Sequence, residues 1–92
     1  MVINYVEDVM QRLSNLLPRC PVELLDLYSL LVLTTGKATT LENIHDAWSI
    51  WQNASNPQHK SLTPFAALSI EVQELDRKYM EAVHTVAAQL TS

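Results

Sequence analysis

Three histidines and a single cysteine are the side chains of this 92-residue chain best suited to acid–base, metal or thiol chemistry. His45, His59 and His84 each lack a second His or a Cys at the short spacing that places two ligands on one helix face. Asp46 adjoins His45, but sequence neighbours on a helix point in different directions and would not chelate one ion. A metal site would have to gather His45, His59 and a carboxylate over long range. Hydrogen-bonded structural imidazoles, with no metal, are the expectation.

Cys20 lies between Arg19 and Pro21 where a helix is predicted to start, so the macrodipole and the cation would both lower its pKa. No local motif pairs it with a base, and cysteine is among the most often buried residues. The serines stand in no nucleophile-elbow context, and the lone Gly36 excludes glycine-rich phosphate loops. Neither an enzyme nor a cofactor is expected, with a thiol-dependent activity of Cys20 as a lesser alternative.

The elements that position these residues read as helices almost throughout. Val2, Val6, Val9, Met10, Leu13, Leu16 and Leu17 form one stripe of a first helix, Ile3 to Leu17, stopped by Pro18. A second helix is predicted from Pro21, a good first helical residue, to Thr35, with Gly36 as left-handed cap. Thr39 and Glu42 fit a capping box for a third, ending near Asn53. Its arc of Leu41, Ile44, Ala47, Trp48 and Trp51 turns both indoles inward, Trp48 to the core and Trp51 to core or rim. A loop over 54–63 leads to a short helical turn after Pro64 carrying Phe65 and Leu68. Ser69 then caps a long last helix, Ile70 to Leu90, whose seam is Val72, Leu75, Tyr79, Val83, Val86 and Leu90 and whose outer face pairs Glu74 with Lys78. The fold class is all-α: one compact four-helix domain over 1–92, with a short extra helical turn before the last helix.

Composition narrows the partners. A net charge of −4, with the six basic residues spread along the chain, disfavours nucleic acid and anionic lipid. Helices two and three invite a helix-turn-helix reading, yet the third offers Glu42, Asn43, Asp46 and Gln52 and no Lys or Arg. Leu24 to Leu33, the longest apolar-rich run, is far shorter than the roughly 20 residues a membrane helix needs. One cysteine and no signal-peptide pattern at the start point to the cytoplasm. Apolar residues make up 48% of the chain, and helix two holds more of them than one buried face can use. Either the other helices enclose it or its spare face meets a partner.

The run Leu41-Glu42-Asn43-Ile44-His45-Asp46-Ala47-Trp48 resembles the opening of the RyR domain, the small repeat of ryanodine receptors and of many bacterial and phage proteins. His59, Leu62, Pro64, Phe65, Leu68, Glu71 and Asp76-Arg77 follow in that domain's order, so the similarity spans about 40–80. The aromatic, glycine-rich segment between the two blocks is missing, and Lys60 stands where a Pro is usual. Over its full length the chain is similar to short uncharacterised helical proteins of actinobacteria and their phages. These resemblances imply a cytosolic interaction or ligand-sensing module without catalysis. Trp48, Pro64, Phe65, Leu68 and Asp76 would form a structural hub, in which His45 bonds a carbonyl of the Pro64 turn, Phe65 and Leu68 cover the indoles, and Arg77 pairs with Asp46 or Glu42. Two functions are expected in order. The first is a protein-binding module, self-associating or acting as a phage accessory protein on a bacterial host protein, through helix two or the Trp51 edge. The second is a small-ligand pocket lined by His45, Trp51, His59 and Arg77.

Overall fold

Asn4 opens the first helix by accepting the Glu7 N–H on its side chain at 2.8 Å, and Glu7 and Asp8 follow where the helix dipole favours negative charge. The computed structural model describes residues 4–91; Val2, from the expected first stripe, and Ile3, the expected start of the first helix, lie outside the described residues. Helix α1 is Tyr5–Leu16, α2 Val22–Thr34, α3 Leu41–Ser55, α4 Ile70–Glu74 and α5 Arg77–Thr91, with 3-10 turns at Gly36–Ala38 and Phe65–Ala67. Among the described residues there is no strand. The chain is an all-α domain of four principal helices. Its radius of gyration, 13.3 Å, is close to the roughly 12 Å of a compact chain of this length.

Helix α2 is the centre. It packs against α1, α3 and α5 and buries Leu24, Leu25, Tyr28, Ser29 and Val32. Val9, Leu13 and Leu17 meet it from the first stripe, Ile44 and Ala47 from α3, and Ala82, Val83, Val86 and Ala87 from α5. Each large aliphatic side chain so buried contributes about 1.5–3 kcal/mol. Enclosure is incomplete, because Val22, Leu30 and Leu33 on the outer side of α2 remain exposed.

Three boundaries differ from the sequence reading. Pro21 is the N-cap of α2 rather than its first residue, in an extended ψ of 147°. The capping box of α3 is Thr40 with Asn43, not Thr39 with Glu42: the Thr40 hydroxyl accepts from Asn43 N–H, and the Asn43 side chain accepts from Thr40 N–H. Thr39 is unavailable because it is turned inward, 3% exposed, with its hydroxyl against that of Thr35 and its carbonyl accepting the His84 Nε2–H at 2.7 Å. Gly36 does take the left-handed conformation, at φ +53°.

The third difference matters most for the site. The expected long last helix is in two pieces, since the Leu75 and Asp76 N–H groups reach back three residues, to Val72 and Gln73 carbonyls, instead of four. The Gln73 side chain ties α4 to the turn before it, donating to the Phe65 and Leu68 carbonyls at 3.0 and 3.2 Å. Buried Val83 and Val86 fix α5 independently. Leu75 therefore leaves the core seam and stands 69% exposed. Three residues per turn at the break align Glu74 with Arg77 rather than Lys78, and the expected Glu74–Lys78 pair is replaced by a bidentate Glu74–Arg77 pair at 2.6 and 3.0 Å.

Candidate functional site

A cleft of about 610 Å³ opens between α2, α3, the loop after α3 and the α4–α5 junction. Small-ligand sites commonly occupy this size range. His45, Trp48 and Trp51 reach it from successive turns of α3, His59 and Ser61 from the loop, Asp76 and Tyr79 from the helix break, and Tyr28 from α2. Each position follows from local structure: α3 brings its indoles to one side by helical periodicity, and Asp76, four residues after Val72 and three before Tyr79, shares their side.

The imidazoles are held by hydrogen bonds. His45 is buried and its Nε2–H donates to the Thr63 carbonyl at 2.7 Å, immediately before Pro64, with the Ser49 hydroxyl 3.3 Å from the same nitrogen. In the neutral ring Nδ1 is then a bare acceptor. His59 takes the opposite assignment, its Nδ1 accepting the Ser61 N–H at 3.0 Å. The two rings enclose Trp48: His45 stacks at 5.8 Å between centroids and His59 meets the indole edge-on at 5.1 Å. Phe65 packs on His45, at 6.2 Å, so it supports the imidazole rather than covering an indole, and Leu68 serves through its carbonyl. Both tryptophans are half-buried against the core.

Two polar groups in the cleft have no protein partner. Tyr28 is 0% exposed and its hydroxyl makes no hydrogen bond. Burial pushes its phenol far above the ordinary value, and the neighbouring Asp76 carboxylate pushes the same way. Among the described residues no hydrogen bond or ion pair holds the Asp76 carboxylate, whose pKa is raised by burial and partly brought back by His45. Tyr28 and Tyr79 lie 5.5 Å apart, and the Lys78 ammonium stands 5.0 Å from the outer Tyr79 ring.

The family model of DUF7701, a domain of unknown function, matches residues 4–88. The chain belongs to the DUF7701 family. No curated protein and no solved structure matches the chain. The DUF7701 match runs through all of the principal helices, whereas the RyR resemblance concerned only 40–80.

In this DUF7701 domain three of the four expected ligand residues, His45, Trp51 and His59, share the cleft with Trp48 and Asp76 from the expected hub. Arg77 does not. Its guanidinium is exposed and paired with Glu74, on a different groove beside Glu42 and Met80, and it meets neither Asp46 nor Glu42 in an ion pair. Pro64 lies outside the cleft, behind the Thr63 carbonyl that receives His45. Tyr28, Tyr79 and Gln73 were not expected at the site; Tyr79 was read only as a seam residue of the last helix, and its place three residues after Asp76 on that seam was the available signal. Cys20 is a correction too. Its thiol lies in a separate groove of about 470 Å³ between the start of α2 and α5, and burial raises its pKa instead of lowering it. Among the described residues no three His, Cys, Asp or Glu side chains gather for a metal ion, and no helix is long and apolar enough to cross a membrane.

Proposed function

We propose that this DUF7701 domain is a non-enzymatic binding module that takes a small ligand group into the aromatic cleft. The observation that carries the reading is the unpartnered Tyr28 hydroxyl, buried in the wall of a cavity large enough to hold a ligand. A buried hydroxyl without a partner destabilises the fold by about 1–3 kcal/mol, and a ligand that bonds it relieves that cost. His59 and Asp76 already stand half-exposed at the cleft, whereas Tyr28 and His45 are buried in its wall, so a ligand that bonds them must first displace part of that wall. Within this reading the module acts in the cytoplasm and the ligand group is what it senses. A ligand-detected NMR fragment screen tests it. Fragments that bind the native protein and lose binding in Trp51→Ala/His59→Ala support the cleft; a screen without hits, or hits indifferent to the double substitution, overturns it.

A second reading, a protein-binding surface, is favoured by apolar residues left in solvent, notably Leu30 at 55% and Ile50 at 65% exposure. Self-association or capture of a bacterial host protein, as a phage accessory protein would require, are its two forms. Sedimentation of the pure protein tests the first: a dimer dispersed by Leu30→Asp supports it, and a monomer at high concentration removes it.

A further inference from the structure

We propose that the cleft receives a protonated alkylamine, its ammonium group among the Asp76 carboxylate, the Tyr28 hydroxyl and Nδ1 of His45, its alkyl stem along Trp48, Trp51 and Tyr79. This rests on the reading of the cleft as a binding site and specifies its ligand.

The donor and acceptor inventory selects the ligand. Asp76 offers two carboxylate oxygens with no hydrogen bond or ion pair among the described residues. In its neutral form His45 has its Nε2–H committed to the Thr63 carbonyl and Nδ1 left as an acceptor, while its cationic form attracts Asp76 itself and would compete with the ligand ammonium. Tyr28 has a hydroxyl oxygen without a partner. The unsatisfied groups are thus acceptors, apart from one hydroxyl that both donates and accepts. An alkylammonium carries three donors and no acceptor, which is the complement of this set. A ligand carboxylate or phosphate would instead face the Asp76 charge. A neutral alcohol would satisfy Tyr28 and leave the carboxylate uncompensated.

The walls point the same way. Trp48, Trp51 and Tyr79 present aromatic rings, whose negative faces attract cations and whose area suits an alkyl stem. The protein already places one ammonium in this manner at the rim, where Lys78 stands over Tyr79. Lys78 is exposed, so its repulsion of a second cation is screened by salt, whereas the attraction of half-buried Asp76 is screened much less. A bare metal ion fits worse, since His45, His59 and Asp76 all line the cavity of about 610 Å³ yet, among the described residues, no three His, Cys, Asp or Glu side chains gather closely enough to hold one.

One ammonium chemistry has two sources, a free amine and a lysine side chain of a protein. Tryptophan fluorescence and 1H–15N NMR titrations of the full chain with n-butylammonium, 1-butanol, a lysine-containing tripeptide and its Nε-acetylated form separate them. Expected is saturable binding of butylammonium on the order of 1 mM, with shifts centred on Trp48, Trp51 and Tyr79, and weaker binding of butanol. Asp76→Asn and Tyr28→Phe, each checked for native far-UV dichroism, should weaken the amine, Asp76→Asn by about tenfold or more, the effect of one hydrogen bond to a charged group. A tripeptide at least about tenfold tighter than butylammonium, and lost on acetylation, assigns a protein lysine; equal affinities assign a free amine. The proposal is overturned if butanol binds as tightly as butylammonium, if Asp76→Asn leaves affinity unchanged, or if no saturable shift appears up to about 50 mM, far above the affinity expected. Butanol or another uncharged fragment binding in the cleft would leave the binding-module reading standing while the ammonium assignment fails.

Discussion

Replacing Tyr28 with Phe should make the protein more stable, the reverse of what the same change does to an ordinary buried tyrosine. The ring is fully buried in the central helix and stacks near Tyr79, and Phe keeps those contacts. Only the hydroxyl is removed. In the native chain that oxygen has no hydrogen-bond partner, a cost of about 1–3 kcal/mol. Against this stands the lost dispersion of one buried atom, at about 0.1–0.2 kcal/mol for each neighbour in contact. The balance is a gain of about 1 kcal/mol, which for a domain of this size raises Tm by roughly 4–8 °C. A hydrogen-bonded tyrosine would instead lose about 1 kcal/mol. Urea unfolding followed by tryptophan fluorescence reads the difference as a change in midpoint at constant slope. Stability that falls by about 1 kcal/mol would show that the hydroxyl has a partner in the free protein, and the argument for an unsatisfied cleft would fail. The same substitution should weaken butylammonium, so stability and binding move in opposite directions.

Asp76→Asn should likewise stabilise the free protein at neutral pH, as read by thermal melts across pH. Its folded-state pKa is raised by burial, with His45 a smaller opposing influence. The fold therefore favours the protonated carboxyl: the stability this group contributes is present below the ordinary carboxylate pKa and lost as pH rises through the folded value. The native protein should lose stability across that window relative to Asp76→Asn, and parallel curves would refute the burial. Thr40→Ala should cost about 1 kcal/mol in urea unfolding through loss of the α3 cap, while Glu42→Gln changes little; the opposite order would restore the Thr39–Glu42 box. Arg77→Ala should leave butylammonium affinity unchanged by titration, because its guanidinium is exposed and paired with Glu74 away from the cleft.

What could be read from the sequence depended on how far each choice reaches. The Val9, Leu13 and Leu17 part of the α1 stripe, the Gly36 cap and the inward arc of Trp48 and Trp51 are decided within a few residues and stand in the structure, whereas Val6 and Leu16 of the same stripe are exposed. The α3 cap is not decided locally. Thr39 and Thr40 each precede a competent partner by three residues, and only Thr35 and His84, which bury Thr39, choose between them. The break before Arg77 contains neither Pro nor Gly, so the apolar spacing reads straight through it. The pairing of Glu74 inherits that error. Asp76, four residues after Val72 and three before Tyr79, falls on the seam side of a continuous helix as well, and Arg77, turned about 100° from it, faces away. Tyr28 was hidden for another reason: α2 is apolar nearly all round, so no periodicity marks the tyrosine whose hydroxyl, unlike those of Ser29 and Thr34, finds no carbonyl on its own helix.

The surplus of apolar residues in α2 thus has two different outcomes along one helix. Tyr28 gives up a hydrogen bond to fill the centre of the fold, while Leu30 and Leu33, close by in sequence, remain in solvent. A chain selected for stability alone would place Phe at 28 and polar residues at 30 and 33. Retaining the reverse pattern costs stability twice, once through an unsatisfied hydroxyl and once through apolar side chains left in water. The Tyr28 cost is recovered when a donor-bearing ligand enters the cleft, and the Leu30 cost when a partner covers α2. Opposing shifts of stability and affinity in Tyr28→Phe, set beside the sedimentation of Leu30→Asp, therefore measure which of the two surfaces the fold is built to use.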